Sequence, residues 1–202
     1  ANEFYEASLD LDPVLATEHG RTGVETLFGD YSPAGEEAYA KLVKKTLKKL
    51  DKVIPIDDTD LVTLDAMQER LTLTRQMRRA GLGRWQLNNI FSAPQQIRTS
   101  FDLMSRENER DWAHIAGRLA NVPGAIDGFI QTLEAARAEG KVSPRRQVQI
   151  VIEQAEAYIA DGGFFDALAA EITAAAPAIT EQAREGAQAA KDGYRALIVY
   201  LR

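Results

Sequence analysis

The chain has 202 residues, of which 45% are hydrophobic and 27% charged, as in an ordinary globular protein. Its net charge of -6 argues against a general nucleic-acid binder, which needs a basic surface. The absence of cysteine excludes disulfides, thiolate metal sites and a cysteine nucleophile.

No apolar run approaches the roughly 20 residues of a membrane span, and the N-terminus does not resemble a signal peptide. A cytoplasmic location is therefore expected. Because the chain starts with Ala1 and not with Met, an exported or lipoprotein parent whose leader was removed is the alternative.

Apolar residues recur at spacings of three and four along most of the chain, which predicts helices. The first of these is short: Asp12 and Pro13 are expected to start it, and Gly20 to end it. Ser32, followed by a proline, is expected to cap the next helix, which covers 36–53.

The acidic stretch 55–60 is predicted to end that helix and to cap another, which runs to about Ala80 and stops at Gly81. Residues 81–94 have no clear period, so an irregular segment is expected there before a helix resumes at Pro94.

Three helices are predicted in the following part of the chain. One begins at 107–108, and a separate one opens at Pro123 and closes at Gly140. In the third, Ser143 is expected to act as the N-cap and Pro144 to occupy the first helical position. A break at 162–163 and a further short helix follow.

The last predicted helix, 178–202, carries a regular stripe of small and apolar residues typical of closely packed helices. We call this stripe the seam; it consists of Ala183, Ala187, Ala190, Tyr194, Leu197 and Leu201. The helix reaches Arg202 without a stop signal, which predicts that the polypeptide continues and that Leu197, Ile198 and Leu201 are partly exposed.

Together these patterns predict an all-α protein, an irregular bundle of about seven to nine helices without a significant sheet. Residues 1–202 are expected to form a single helical domain.

The usual metal and catalytic motifs are absent. The two histidines, His19 and His114, belong to no H-E-x-x-H pattern, and a structural role is expected for both. The acidic clusters at 57–60 and 107–111 lie where helices begin, so they are interpreted as partners of the helix dipole. Lysines opposite the apolar stripe of 36–53 suit an acidic partner or a membrane surface, or form only a solvated face.

The segment 84–98, RWQLNNIFSAPQQIR, is the candidate binding site. It combines an aromatic ring with neutral amides, which can both donate and accept hydrogen bonds to peptide groups. The predicted substrate-binding residues are Trp85, Asn88, Asn89, Gln95 and Gln96. In the alternative interpretation the loop packs back on the bundle and its amides cap helix ends.

Four segments appear in a characteristic order: LDPVLATEHGRTG, DYSPAG, a tryptophan followed by PQQ, and GKVSPRRQVQIVIEQ. In this order they resemble the bacterial domain-of-unknown-function family 885, over essentially the whole chain. Members of that family are described as lipoproteins or zinc metallopeptidases. The family's N-terminal motif corresponds here to Asp12, Pro13, Ala16, Thr17 and Gly20.

The resemblance implies a mostly helical architecture whose His-Glu zinc motif lies in a C-terminal portion. No stretch of this chain matches that motif, so no catalytic or metal-binding residue is assigned and no cofactor is expected in this segment. Zinc is expected only in a full-length parent. The expected partners are that C-terminal catalytic portion and a peptide substrate, with no nucleic acid and no membrane span.

We therefore expect the non-catalytic helical N-terminal region of a bacterial zinc metallopeptidase, lining or covering the peptide cleft of a catalytic part beyond this chain. The alternative is a self-contained helical protein–protein interaction module without enzymatic role, whose seam packs on another chain.

Overall fold

The computed structural model describes residues 1–202 and contains nine α-helices, one short 3-10 turn and no strand. The all-α prediction and the expected number of helices are confirmed. The helices are α1 (Asn2–Leu11), α2 (Pro13–Glu18), α3 (Pro33–Leu50), α4 (Asp58–Arg79), α5 (Ala93–Thr99), α6 (Glu109–Ala138), α7 (Arg145–Ile159), α8 (Phe164–Ala175) and α9 (Thr180–Leu201). None of them combines the length and the apolar character that crossing a membrane would require.

The two long helices α6 and α9 form the most extensive contact in the chain. The first five seam residues, Ala183 to Leu197, are buried in this contact and in the packing of α7 and α8 on α9. Small side chains let two helix backbones approach closely, so the seam packs within its own chain. The expectation that it packs on another chain is therefore wrong.

The segment before α3 is fixed against α6. Gly128 offers room for the backbone of Tyr31 and Ser32, since a Cβ at Gly128 would lie 3.1 Å from the Ser32 nitrogen. The hydroxyl of Thr132 donates to the Tyr31 carbonyl at 2.8 Å. This contact connects α6 to the segment from which α3 begins.

The hairpin of α3 and α4 is a separate layer with a small core of its own. That core consists of Val43, Leu47, Leu50 and Leu71, and Leu71 is the one buried residue among the 22 of α4. Helix α1 packs on α3, and α4 makes its main contact with α3. Much of α4 therefore faces solvent.

The predicted start and stop signals are largely confirmed. The side chains of Asp12, Ser32 and Asp57 accept hydrogen bonds from the first turns of α2, α3 and α4. Gly20 and Gly81 have φ of +77° and +80°, the left-handed conformation that ends a helix most readily at glycine.

Pro123 does not open a helix; it lies inside α6, which runs through without a break. A proline in a helix interior removes one backbone hydrogen bond and costs about 3 kcal/mol. Buried Leu119, Val122 and Ile126 on both sides of it pack in the main core and keep the helix continuous. Gly193 of α9 makes the close approach feasible, because a Cβ there would lie 3.1 Å from the Pro123 Cα.

Ser143 does not cap α7 either, since the N-cap position is occupied by Pro144. The Ser143 hydroxyl accepts the Leu87 N–H at 2.8 Å and donates to the Trp85 carbonyl at 3.2 Å. Ser143 therefore attaches the irregular loop to the start of α7. The Ser-Pro pattern alone could not indicate these contacts, because their partners lie far away in the sequence.

The apolar end of α9 is mostly buried. Leu197 and Ile198 lie in the main core, so the expected exposure is wrong for both; Leu201 is partly exposed, as expected. Val199, on the other side of the helix, faces solvent. The apolar residues Leu197 and Ile198 thus pack against other helices of the same chain.

Replacing Gly186 by Ala tests the α6–α9 contact, because the new Cβ would lie 2.9 Å from the Ala116 carbonyl oxygen. Overpacking lowers the stability by about 1–3 kcal/mol, whereas the higher helix propensity of Ala raises it by about 1 kcal/mol. We expect a net loss of about 1 kcal/mol in the free energy of unfolding, measured by urea denaturation. The control is Gly124→Ala on exposed α6 surface, with nothing within 4 Å, which should gain about 0.5–1 kcal/mol. Equal gains in both variants would contradict the close contact.

The ion pair of Lys191 and Asp166 joins α9 to α8 with N–O distances of 2.8 and 2.9 Å. The hydrogen bond from the Lys191 ammonium lowers the pKa of Asp166, so the pair adds stability above about pH 4. This stability is lost as the pH falls through the lowered pKa.

We expect Asp166→Asn to lower the free energy of unfolding at pH 7 by about 2 kcal/mol, because the buried ammonium loses its partner. The difference from the wild type should shrink below about pH 4. Asp192→Asn, which removes an exposed pair with Arg195, is the control and should change stability by less than about 1 kcal/mol. A constant difference across this pH range would contradict the assignment.

Candidate functional site

The N-terminal motif folds into α2 and the turn that follows it. The carboxylate of Asp12 accepts the Leu15 N–H at 3.1 Å, and the Thr17 hydroxyl donates to the Pro13 carbonyl at 2.8 Å. His19 is exposed, and its Nδ1 shares a 2.7 Å hydrogen bond with the Tyr5 hydroxyl. The histidine therefore connects α2 to α1, in the structural role expected for it.

Arg118 of α6 lies buried below this motif, with 1% of its surface exposed. Its Nη2 donates to the Thr17 hydroxyl at 2.8 Å, whereas Nη1 reaches the Ser100 carbonyl only at 3.5 Å and Nε has no partner. Burial lowers the pKa of Arg118 to about 10, so the side chain is still charged at neutral pH. The motif threonine thus supplies the main hydrogen bond of a buried arginine that has no ion pair.

A polar cavity of about 440 Å³ opens beside the motif, and we call it the motif cleft. Its walls are the turn after α2, the segment before α6 and the first turns of α6. The lining residues are Thr17, Gly20, Arg21, Thr22, Glu25, Leu103, Met104, Ser105, Asn108, Arg110, Asp111 and His114.

The two carboxylates of the motif cleft are both ionised at neutral pH. Burial raises the pKa of Glu25, but backbone N–H groups of Glu25 and Gly23, together with nearby His114 and Arg110, lower it below its usual value. The pKa of Asp111 is lowered by hydrogen bonds from the Ser105 hydroxyl and the Glu107 N–H, and by His114. Neither group can therefore act as a general acid near pH 7.

The motif cleft presents both signs of charge. Arg21 is paired with Asp10 at 2.7 Å, and Arg110 and His114 lie close enough to lower carboxylate pKa values. No group of three or more His, Asp or Glu side chains is placed to hold a metal ion. The arrangement provides contacts for a polar ligand carrying both charges.

The motif cleft is not among the sites predicted from the sequence. His114 and Asp111 lie three residues apart, which places them on one face of α6. That spacing is the one local signal. Glu25 lies in an irregular loop, and its approach to the helix could not be predicted from periodicity.

In the predicted segment 84–98, two of the amides are used to hold the loop itself. The side-chain oxygen of Asn88 accepts hydrogen bonds from the backbone N–H groups of Ile90 and Phe91, at 2.9 and 2.6 Å. Gln95 is buried and bonds to Ser92, to the backbone of Asn88 and to Gln154 of α7. These contacts agree with the alternative of a loop packed on the bundle.

The other predicted residues differ in their surroundings. The Trp85 indole donates to the Gly81 carbonyl at 3.0 Å and packs against the main core. Asn89 is exposed and Gln96 partly exposed, and neither side-chain amide has an intrachain hydrogen bond. Of the five residues, these two have amides free for a ligand.

The comparisons with known proteins agree with the fold. The family model described as "Bacterial protein of unknown function (DUF885)" matches residues 13–202. A solved structure, described as a "putative lipoprotein" from Colwellia psychrerythraea, superimposes with a TM-score of 0.67 at 13% identity. The match covers 98% of this chain and 42% of that chain, so this chain spans less than half of its structural relative. No curated protein matches the chain.

Replacing Thr17 by Val tests its bond to Arg118. The exchange keeps the shape but removes the acceptor of the buried guanidinium, which should lower the free energy of unfolding by about 2 kcal/mol. Thr17→Ser retains the hydroxyl and should cost less than about 1 kcal/mol. Urea denaturation measures both, and equal stability of Thr17→Val and the wild type would contradict this role.

Proposed function

Since the chain belongs to DUF885, the bacterial family of unknown function whose model it matches, we propose that it is the non-catalytic N-terminal helical region of a longer zinc metallopeptidase. In this proposal it lines or covers the peptide-binding cleft of a catalytic part beyond its 202 residues. The observation that carries the proposal is the fold comparison, in which nearly the whole chain corresponds to 42% of a longer protein.

The residues of this chain do not fit a zinc site. His19 is hydrogen-bonded to Tyr5, and His114 lines the motif cleft, where no group of three or more side chains is placed to hold a metal ion. Structural and catalytic zinc sites need at least three convergent protein ligands. In the proposal zinc is therefore bound by residues outside this chain, in the C-terminal portion expected from the family resemblance.

The contribution of this chain would be to position a peptide. The loop at 84–98 is held by the bonds of Asn88 and Gln95, so little conformational entropy is lost when it meets a ligand. The amides of Asn89 and Gln96 can each donate and accept hydrogen bonds to a peptide backbone. Neutral amides suit peptide groups irrespective of the side chains of the peptide.

A self-contained interaction module is the other function expected from the sequence. The surface predicted for it is the seam on α9, and all seam residues except Leu201 are buried within the chain. A module would therefore need another surface, and we favour the first proposal.

The proposal is tested in the full-length protein, first by zinc content and peptide hydrolysis. In an active protein, removing one amide hydrogen bond should cost about 0.5–1.5 kcal/mol of binding. We expect Asn89→Ala and Gln96→Ala each to raise KM by about 2–10-fold with little change in Tm.

The matched control is Asn88→Ala, which removes an amide that holds the loop and should lower Tm. A full-length protein without zinc or peptide hydrolysis would overturn the enzymatic part of the proposal. Unchanged KM in both Ala variants of an active enzyme would overturn the role of the loop.

A further inference from the structure

A groove of about 790 Å³ lies between α3, α4 and the start of the irregular loop. Its larger apolar side chains are Tyr39 and Val43 from α3, Met77 from α4 and Leu82 from the loop. Val43 is buried, while the other three are 37–46% exposed. The groove has the size range of ligand sites, about 300–1,000 Å³.

The rim of the groove is strongly basic in a protein whose net charge is -6. Five cationic side chains line it, against the single carboxylate of Glu36. They are Lys44, Arg75, Arg78, Arg79 and Arg84. The local charge is therefore opposite to that of the chain as a whole.

Two of the five cations are engaged within the chain. Arg78 pairs with Glu37 at 2.7 Å, and the guanidinium of Arg84 donates to the Asp30 carbonyl at 3.0 Å. The remaining three, Lys44, Arg75 and Arg79, are exposed and take part in no ion pair. A ligand in the groove can therefore form ion pairs with the three unpaired cations and apolar contacts with the exposed apolar side chains.

We propose that this groove binds an acidic peptide segment that also carries apolar side chains. Carboxylates of the peptide would pair with Arg75, Arg79 and Lys44, since guanidinium groups form strong charge-assisted bonds with carboxylates. An apolar side chain of the peptide would cover Met77 and Leu82. The inference goes beyond the proposed function, because binding at the groove requires no catalytic part.

A nucleic acid fits the groove less well. Single strands are bound by rows of aromatic rings along a basic track, whereas Tyr39 is the one aromatic residue of the lining. The apolar side chains would gain nothing from phosphates, and the acidic remainder of the chain would repel a long polyanion.

The test is fluorescence anisotropy of this chain with a labelled peptide of glutamates interspersed with leucines. We expect saturable binding that weakens with salt, and at least about tenfold weaker binding by the double variant Arg75→Glu, Arg79→Glu. The control is Lys48→Glu, Lys52→Glu, which makes the same charge change on exposed residues outside the groove lining. It should weaken binding less than about twofold.

Three results would overturn the inference. Equal weakening by both double variants would show a response to net charge alone. Equally tight binding of oligothymidylate of the same length would show a general polyanion site. Unchanged binding of a peptide with serine in place of leucine would show that the apolar side chains are not used. Circular dichroism of each variant verifies that the total helix content is unchanged.

Discussion

The close contact between α6 and α9 is the interaction on which the other helices depend. Glycines at 186 and 193 bring the α9 backbone within van der Waals distance of α6 near Ala116 and Pro123. Helices α7 and α8 then pack on α9, and the buried Tyr194 hydroxyl donates to the Pro94 carbonyl of α5 at 2.5 Å. One helix pair thus determines where three further helices, α5, α7 and α8, lie.

Signals contained in a few neighbouring residues were sufficient to predict most helix boundaries. Asp12, Ser32 and Asp57 cap their helices through bonds to residues two or three positions away, so the sequence alone indicates them. Pro123 and Ser143 were interpreted by the same local rules and gave wrong boundaries. At both positions contacts with distant parts of the chain outweigh the local preference.

The candidate sites show the same division. The composition of the segment at 84–98 was sufficient to select it as a candidate site. Its attachment to the bundle, however, involves hydrogen bonds of Gln154 with the Gln95 side chain and the Asn89 carbonyl, and Gln154 lies far away in the sequence. The bond of Thr17 to Arg118 joins residues 101 positions apart, and no periodicity could have predicted it. It gives the family motif a physical meaning: the threonine hydroxyl compensates part of the desolvation of a buried cation.

The uneven distribution of buried residues has a consequence for how the chain opens. The main core unites 27 buried residues, whereas the hairpin of α3 and α4 relies on four. Local stability follows the number of apolar contacts that must be broken, so α4 is the long helix that separates from the rest at the lowest free energy. Such an opening would leave the α6–α9 bundle folded, so α4 can unfold locally while the main core stays intact.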